Sequence, residues 1–469
     1  MLARLGLRLR VFLFFCLLAV GGAALAAGAM AFGWSRAGDV PTAPFTTAFI
    51  LFAFLNTGLA LGIWFLFDEN VAKPINKLSA NLRMRAHSGV TEAIDTDDAR
   101  YLGDLAPAAS ALSENAQSSL EDIAASVAHE TQRLSSETDR LTALLTEIPI
   151  ATILINPARE IVLYDGQAAE VLSQIALPRL RAPMADYFAK GCTSAAIEAA
   201  KGKDGEHAFE LFDTSGDIRF QARIKTLGED GHMIFIDMPD WLKSTDAARP
   251  LVFNFDLMKR AQGLDIADTP LDDLCYVPFD TETTGLSVEK DKIVQIGAVR
   301  VLKGAIVAGE ELDTYVHPGC PIPPASTKIH HVTDAHVADA PDIAEACQAL
   351  HHFARDAVLV AHNAPFDIGL LQKFGPEAGL DWSHPVLDTV LISAVVFGTN
   401  EEHSLDALCA RLGIHIPEKD RHTALGDARV TAQALVKLLP IVKGQGLTTF
   451  GALKEQTSRQ AKRLYSIKA

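Results

Sequence analysis

Two apolar runs open the chain, Val11 to Trp34 and Ala43 to Phe67. Each is about twenty residues or more, long enough as a helix to cross a hydrocarbon core of roughly 30 Å. Arg4, Arg8 and Arg10 precede the first run, and Lys73, Lys77, Arg83 and Arg85 follow the second. Between the runs lies only Arg36, offset by Asp39. That distribution predicts two spans with both ends in the cytoplasm. A cleaved signal peptide is the rival for the first run, but the run exceeds a usual h-region and a second span follows at once. Further on, Leu120, Val127, Leu134, Leu141 and Ile148 recur every seventh residue, with Ile123 and Leu144 at the complementary seam positions. A parallel dimeric coiled coil fits this spacing, and one amphipathic helix packed on its own chain is the alternative. Glu130 and Glu137 fall on the seam and would weaken it. From Ala151 to Asn156 and from Glu160 to Asp165 the period drops to two, which predicts a hairpin closing near Pro157 to Arg159. Further strands are expected near Ile218 to Ile224 and His232 to Asp237, and Tyr276, Val277 and Phe279 begin another.

At 469 residues and 49% hydrophobic content, the chain is too long for one core. The expected division is a membrane anchor over 1–70, a helical linker over 71–147, an α+β domain over 148–240, a linker over 241–273, a catalytic domain over 274–440 and a basic tail over 441–469. The six cysteines, Cys16, Cys192, Cys275, Cys320, Cys347 and Cys409, show no CxxC or zinc spacing, which points to reduced thiols in a cytosolic setting.

The candidate chemistry lies in the last two hundred residues. Asp280 and Glu282 alternate on one strand and therefore share a face. Asp367 ends HNAPFD, His422 and Asp427 stand in HTALGDARV, and Asp388 lies between. Taken singly these are a solvated strand end, a helix cap at Asn363 or Asp367, a surface histidine and an ordinary helix acid. Together, four carboxylates and one histidine from separate segments are what a two-metal phosphodiesterase needs. Mg²⁺ and Mn²⁺ favour such hard oxygen ligands.

In these motifs the sequence resembles the DEDDh exonucleases, the group that includes the proofreading epsilon subunit of bacterial DNA polymerase III. FDTETTGL is similar to the first motif, HNAPFD to the second and His422 with Asp427 to the third. VQIGAVRV, IHHVTD and HSLDALCARLGI extend the likeness. It implies a ribonuclease-H-like α/β domain with a mixed central sheet and flanking helices. It also implies two divalent metal ions: Asp280, Glu282 and Asp427 on one, Asp280 bridging, Asp367 on the second, and His422 as general base. Thr283, Thr284, Gly285 and Leu286 would lie against the terminal nucleotide, with Asn363 and Phe366 as further contacts and Asp388 as a supporting acid. His331 stands where relatives commonly have Gly. The implied reaction is release of nucleoside monophosphates from single-stranded 3′ ends, of DNA before RNA.

Lys73 to Leu78 resembles the opening of a HAMP linker, and residues 148–240 resemble a PAS domain, either an unliganded dimerisation module or a sensor. The expected setting is a bacterial-type inner membrane crossed twice, with a cytoplasmic catalytic domain and a homodimer formed through the coiled coil and PAS-like region. A replicative polymerase is a less natural partner for a tethered chain. The net charge of −16 opposes a broad nucleic-acid footprint. The basic residues Lys443, Lys454, Arg459, Lys462, Arg463 and Lys468 form the only basic stretch near the catalytic domain and would track a phosphate backbone, with a solvated terminal helix as the alternative. The competing function is a membrane signal transducer whose exonuclease fold mainly binds nucleic acid or nucleotide. A histidine kinase built on His129 is disfavoured, because no glycine-rich ATP-binding boxes follow.

Overall fold

The computed structural model describes residues 7–36, 41–88, 150–200, 205–227, 231–239, 251–259, 265–417 and 420–466, with a few isolated positions besides. They belong to two compact units, one within 1–123 and one within 124–469. The heptad segment from Leu120 to Ile148, including Glu130 and Glu137, lies outside the described residues.

In the first unit α1 (Leu7–Arg36) and α2 (Ala43–Phe67) run antiparallel. Arg8 pairs with Asp68 at one end, and Asn56 Nδ2 donates to the Ala19 carbonyl at 2.8 Å midway. The rings of Phe12 and Trp64 meet edge-on at 5.0 Å. Both helices are long and apolar enough to cross a membrane, with mean hydropathy reaching 2.3 and 2.0, and both leave leucine and phenylalanine side chains outward. Asn56, polar within an apolar helix, is turned onto the neighbouring helix. A π turn over Asp68–Ala72 leads into α3 (Lys73–Ser88).

The second unit begins with β1 (Ile150–Ile155) and β2 (Ile161–Tyr164), the hairpin that the alternation predicts. Asp165 caps α4 (Gly166–Ser173) by accepting from the Ala168 amide at 2.7 Å. After α5 (Cys192–Ala200) come β3 (Glu206–Phe212), β4 (Arg219–Thr226) and β5 (His232–Asp237). The segment expected as a linker contributes β6 (Val252–Phe253), which completes an antiparallel sheet of order β3-β4-β5-β1-β2-β6. Two residues carry too little periodicity to announce a strand; pairing with Leu163 and Tyr164 makes it one.

A second sheet, with the strands Val386–Asp388, Val358–Ala361, Cys275–Thr283, Ile293–Leu302 and Ala305–Tyr315 in that spatial order, holds the candidate chemistry. Strands β7 (Cys275–Thr283), β8 (Ile293–Leu302) and β9 (Ala305–Tyr315) are antiparallel, while β10 (Val358–Ala361) and β11 (Val386–Asp388) run parallel to β7. The helices are α6 (Pro324–His330), α7 (Asp334–Val337), α8 (Ile343–Phe353), α9 (Ala364–Phe374), α10 (Thr389–Phe397), α11 (Leu405–Leu412), α12 (Ala424–Gly444) and α13 (Phe450–Ser466). Every residue of β8 is buried, because α12 covers one face and α8 the other. This is the mixed sheet with flanking helices that the motifs imply.

The basic C-terminal stretch is a docked helix rather than a free tail. Leu453 and Thr457 of α13 are buried, and Lys454 Nζ donates to the Val386 carbonyl at 2.7 Å. Lys443 pairs with Asp272 at 2.7 Å, and Arg459 with Glu455 one turn away. These cations are occupied inside the chain.

Candidate active site

Strand alternation places Asp280 and Glu282 on the face of β7 that α12 covers, opposite Gly297 and Gln295 of β8. The start of α12 lies flat on β8 at Gly297, where a Cβ would come within 2.1 Å of the Ala424 carbonyl carbon and the Leu425 amide nitrogen. Gln295, polar in an otherwise apolar strand, donates to Asp313 at 2.8 Å and accepts from the Ala424 amide at 3.4 Å. Thr423 caps the same helix by accepting from the Gly426 amide at 3.1 Å. Asp427 in the first turn is thereby brought to the strand, and one ligand atom each from Asp280, Glu282 and Asp427 lie within 4.8 Å of one another.

Asp367 enters from the first turn of α9. It is 4% exposed, and one oxygen accepts from Thr281 Oγ1 at 2.6 Å. Asp388 caps α10, accepting from the Val390 amide at 2.8 Å and the Asn363 amide at 3.1 Å, so it also holds the loop that precedes α9. Asn363 is exposed in a left-handed conformation, with φ 69°, and makes no side-chain cap. Phe366 is half-buried against the core.

Burial and mutual repulsion push the carboxyl groups upward. Asp280 is raised well above the carboxylate range by burial first and then by Asp367, Glu282 and Asp427. Burial, with Asp427 and Asp367, takes Glu282 to about 8. Burial lifts Asp367 to about 7 against the hydrogen bond from Thr281, and lifts Asp427 to about 6 against the pull of nearby His422. Four hard carboxylates that resist ionising together, and no thiol, make a donor set that fits divalent Mg²⁺ or Mn²⁺, whose charge would offset the repulsion.

His422 is exposed on the turn before α12 with φ 55°, a left-handed conformation that costs a residue with a Cβ about 1 kcal/mol or more. Thr283 Oγ1 donates to the Gly285 carbonyl at 2.6 Å, and Thr284 Oγ1 donates to Asp291 at 3.0 Å. A Cβ at Gly285 would meet the Asp291 carboxylate at 2.7 Å, so a side chain there would displace Asp291 from Thr284. Leu286 at the tip is 92% exposed. Ser326 of α6 donates to the Thr284 carbonyl at 2.8 Å and ties the turn to the helix that His331 terminates. His331 has φ 60°, which explains why glycine suits that position.

The polar partners Thr281, Asp291 and Gln295 carry no signal as single residues, apart from Gln295 interrupting an apolar run; each is defined by a contact with a distant segment. Residues 277–435 match the exonuclease family of RNase T type. Over its whole length the chain is 31% identical to the DNA polymerase III subunit epsilon-like protein of Rhodobacter capsulatus, with 100% of both proteins covered. The chain belongs to this family. It is a 3′–5′ exonuclease, a phosphodiester hydrolase. A DNA polymerase III of PolC type from Streptococcus suis is 34% identical over 192 residues, which are 40% of this chain but only 13% of that protein. Exonuclease X, solved in complex with 5′ overhanging duplex DNA, is 28% identical with a TM-score of 0.30, covering 39% of this chain and 99% of that one.

Proposed function

We propose that this exonuclease removes nucleoside monophosphates from single-stranded 3′ ends, DNA before RNA, using two divalent metal ions, and that it works from the membrane surface. The observation that carries the reading is the convergence of Asp280, Glu282 and Asp427 within 4.8 Å, with buried Asp367 near enough to push Asp280 further upward. Bound Mg²⁺ or Mn²⁺ would supply an acidified water and charge neutralisation at the scissile phosphate. Asp280, Glu282 and Asp427, with Asp367 beside them, are the carboxylates that would hold these ions. His422 takes the proton of the attacking water, and its exposed turn lets it approach as substrate arrives. Thr283 to Leu286 seat the terminal nucleotide: Gly285 allows close backbone approach and exposed Leu286 offers an apolar face to a base. Asn363 and Phe366 are further nucleotide contacts in this reading, and Asp388 acts at one remove by holding the Asn363 loop.

With purified full-length protein, a 5′-labelled single strand should shorten as a ladder while a 3′-labelled one releases mononucleotide at once, and both should need Mn²⁺ or Mg²⁺. Persistence of either reaction in chelator would reject the metal mechanism.

The membrane reading rests on the outward apolar surface of α1 and α2 and on the arginine and lysine bias around them. A reporter active only outside the cytoplasm should be on when fused after Asp39 and off after Ala469; the reverse pattern excludes a cytoplasmic catalytic domain. The sheet order β2-β1-β5-β4-β3 upstream of the enzyme supports a PAS-like domain. We read that domain, a HAMP-like α3 and a dimeric coil as the regulatory half, and assign no polymerase partner.

A further inference from the structure

The two sheets of the second unit share one continuous core: Ile153, Tyr164 and Leu180 belong to the same buried cluster as Val277, Ala298 and Phe353. Across that boundary lies a buried polar network. Arg300 of β8 is 1% exposed and Glu310 of β9 is 0% exposed, with Nε and Oε2 2.8 Å apart. Arg300 also donates to the Phe353 carbonyl at 2.8 Å and to the Leu180 carbonyl at 3.0 Å. Glu310 accepts from the Tyr164 hydroxyl at 3.0 Å and from the Leu180 amide. At the rim Arg355 pairs with Asp186 at 2.6 Å, and His352 bonds the Leu177 carbonyl at 3.1 Å.

These strands have two occupied faces. The β8–β9 ladder shifts register between Val299 and Val301, beside Arg300. Arg300 and Glu310 point toward the upstream domain. Glu311, the next residue of β9, turns to the opposite face and holds Arg429 of α12, with Arg429 Nε 3.2 Å from its carboxylate. On that same face Gln295 and Gly297 seat the start of α12, which delivers Asp427 and follows His422. A buried ion pair adds little net stability over apolar residues of similar size, but leaving one partner alone is strongly destabilising, so its consequence is a fixed geometry.

We propose that Arg300, Glu310 and Tyr164 are positioning residues: they clamp the upstream domain onto β8 and β9, and through those strands set where His422 and Asp427 stand over Asp280 and Glu282. The upstream domain is then a built-in support of the catalytic unit rather than a separable tether. This rests on the catalytic reading above.

The test uses full-length protein on a single-stranded oligonucleotide, with rates divided by the number of Mn²⁺-binding molecules so that misfolded protein does not count. Arg300→Met leaves Glu310 buried and unpaired; it should lower kcat about tenfold or more with KM changed by less than about threefold. Tyr164→Phe removes only a hydroxyl and should lower kcat about threefold. Arg300→Met combined with Glu310→Leu removes the unpaired buried charge but also the acceptor of the Tyr164 hydroxyl, so it should recover kcat only as far as the level of Tyr164→Phe. Wild-type kcat per Mn²⁺-binding molecule in Arg300→Met and in Tyr164→Phe overturns the clamp. Should Arg300→Met fail to fold, Tyr164→Phe decides alone. Asp280→Asn, assayed beside them, reports on the catalytic reading itself: activity lost there but unchanged in the clamp variants rejects the clamp only, and activity retained there rejects the site.

Discussion

Asp280→Asn is expected to abolish hydrolysis and at the same time to raise the melting temperature of the metal-free protein near neutral pH. Asp280 is the carboxylate that the other three crowd: Asp367, Glu282 and Asp427 all push its proton affinity upward beyond the effect of burial. An amide of the same shape keeps the packing but cannot carry the charge that the proposed metal site would need at this position. It also removes one member of a mutually repelling group. The sign of the pH effect follows from the directions of the shifts. Glu282 at about 8, Asp367 at about 7 and Asp427 at about 6 all lie above their values in an unfolded chain, so the folded state binds the extra protons. Their contribution to stability is complete below about pH 4 and is lost as pH climbs through about 8. In chelator, the wild-type protein should therefore melt several degrees lower at about pH 8 than at about pH 5.5, and Asp280→Asn should flatten that slope. Mn²⁺ should restore the wild type more than the variant. Thermal melts across pH with and without Mn²⁺, beside an end-labelled oligonucleotide assay, measure both halves. Wild-type turnover in Asp280→Asn, or a variant that melts lower than wild type at about pH 8 in chelator, would sink the account of the site.

Replacing His422 should cost roughly 10²–10⁴ in kcat, the usual share of a general base, while Mn²⁺ affinity changes little because the imidazole is not a ligand in this reading. The choice of substituent matters, since residue 422 has φ 55°. Asn tolerates that left-handed backbone better than Ala, so His422→Asn isolates the loss of the base from any shift of the turn. His422→Asn and His422→Ala should both bind single-stranded oligonucleotide in Ca²⁺ as the wild type does. A kcat within about tenfold of wild type for His422→Asn would assign the proton to another acceptor.

The division between what was legible and what was not follows the range of the interactions. Asp280 and Glu282 share a face because side chains alternate along any strand, and Asp427 lies in a first helical turn because Thr423 supplies a local cap. The hairpin at Asn156 to Arg159 and the two long apolar helices were legible for the same reason: period and length act within a few residues. Arg300 has no such signal. In VRVLKG it reads as an outward cation on an alternating strand, and only Leu180 and Tyr164, more than a hundred residues earlier, make it a buried clamp. Glu310 and the two-residue strand Val252–Phe253 are cases of the same kind. The basic C-terminal residues looked free because charge is visible in a sequence and its partners are not; Lys454 and Lys443 are paired with Val386 and Asp272.

By itself, then, the sequence determined the chemical inventory of this protein: four acids and a histidine in family order, the strand and helix periods that carry them, and two segments apolar enough for lipid. The tertiary structure decided which groups share a dielectric environment and which faces are covered. Burial against chain elements distant in sequence lifts the acids, seats α12 on Gly297 and welds the upstream domain to the catalytic sheet. Desolvation and packing depend on the whole surrounding shell of atoms, and no local pattern of residues specifies that shell.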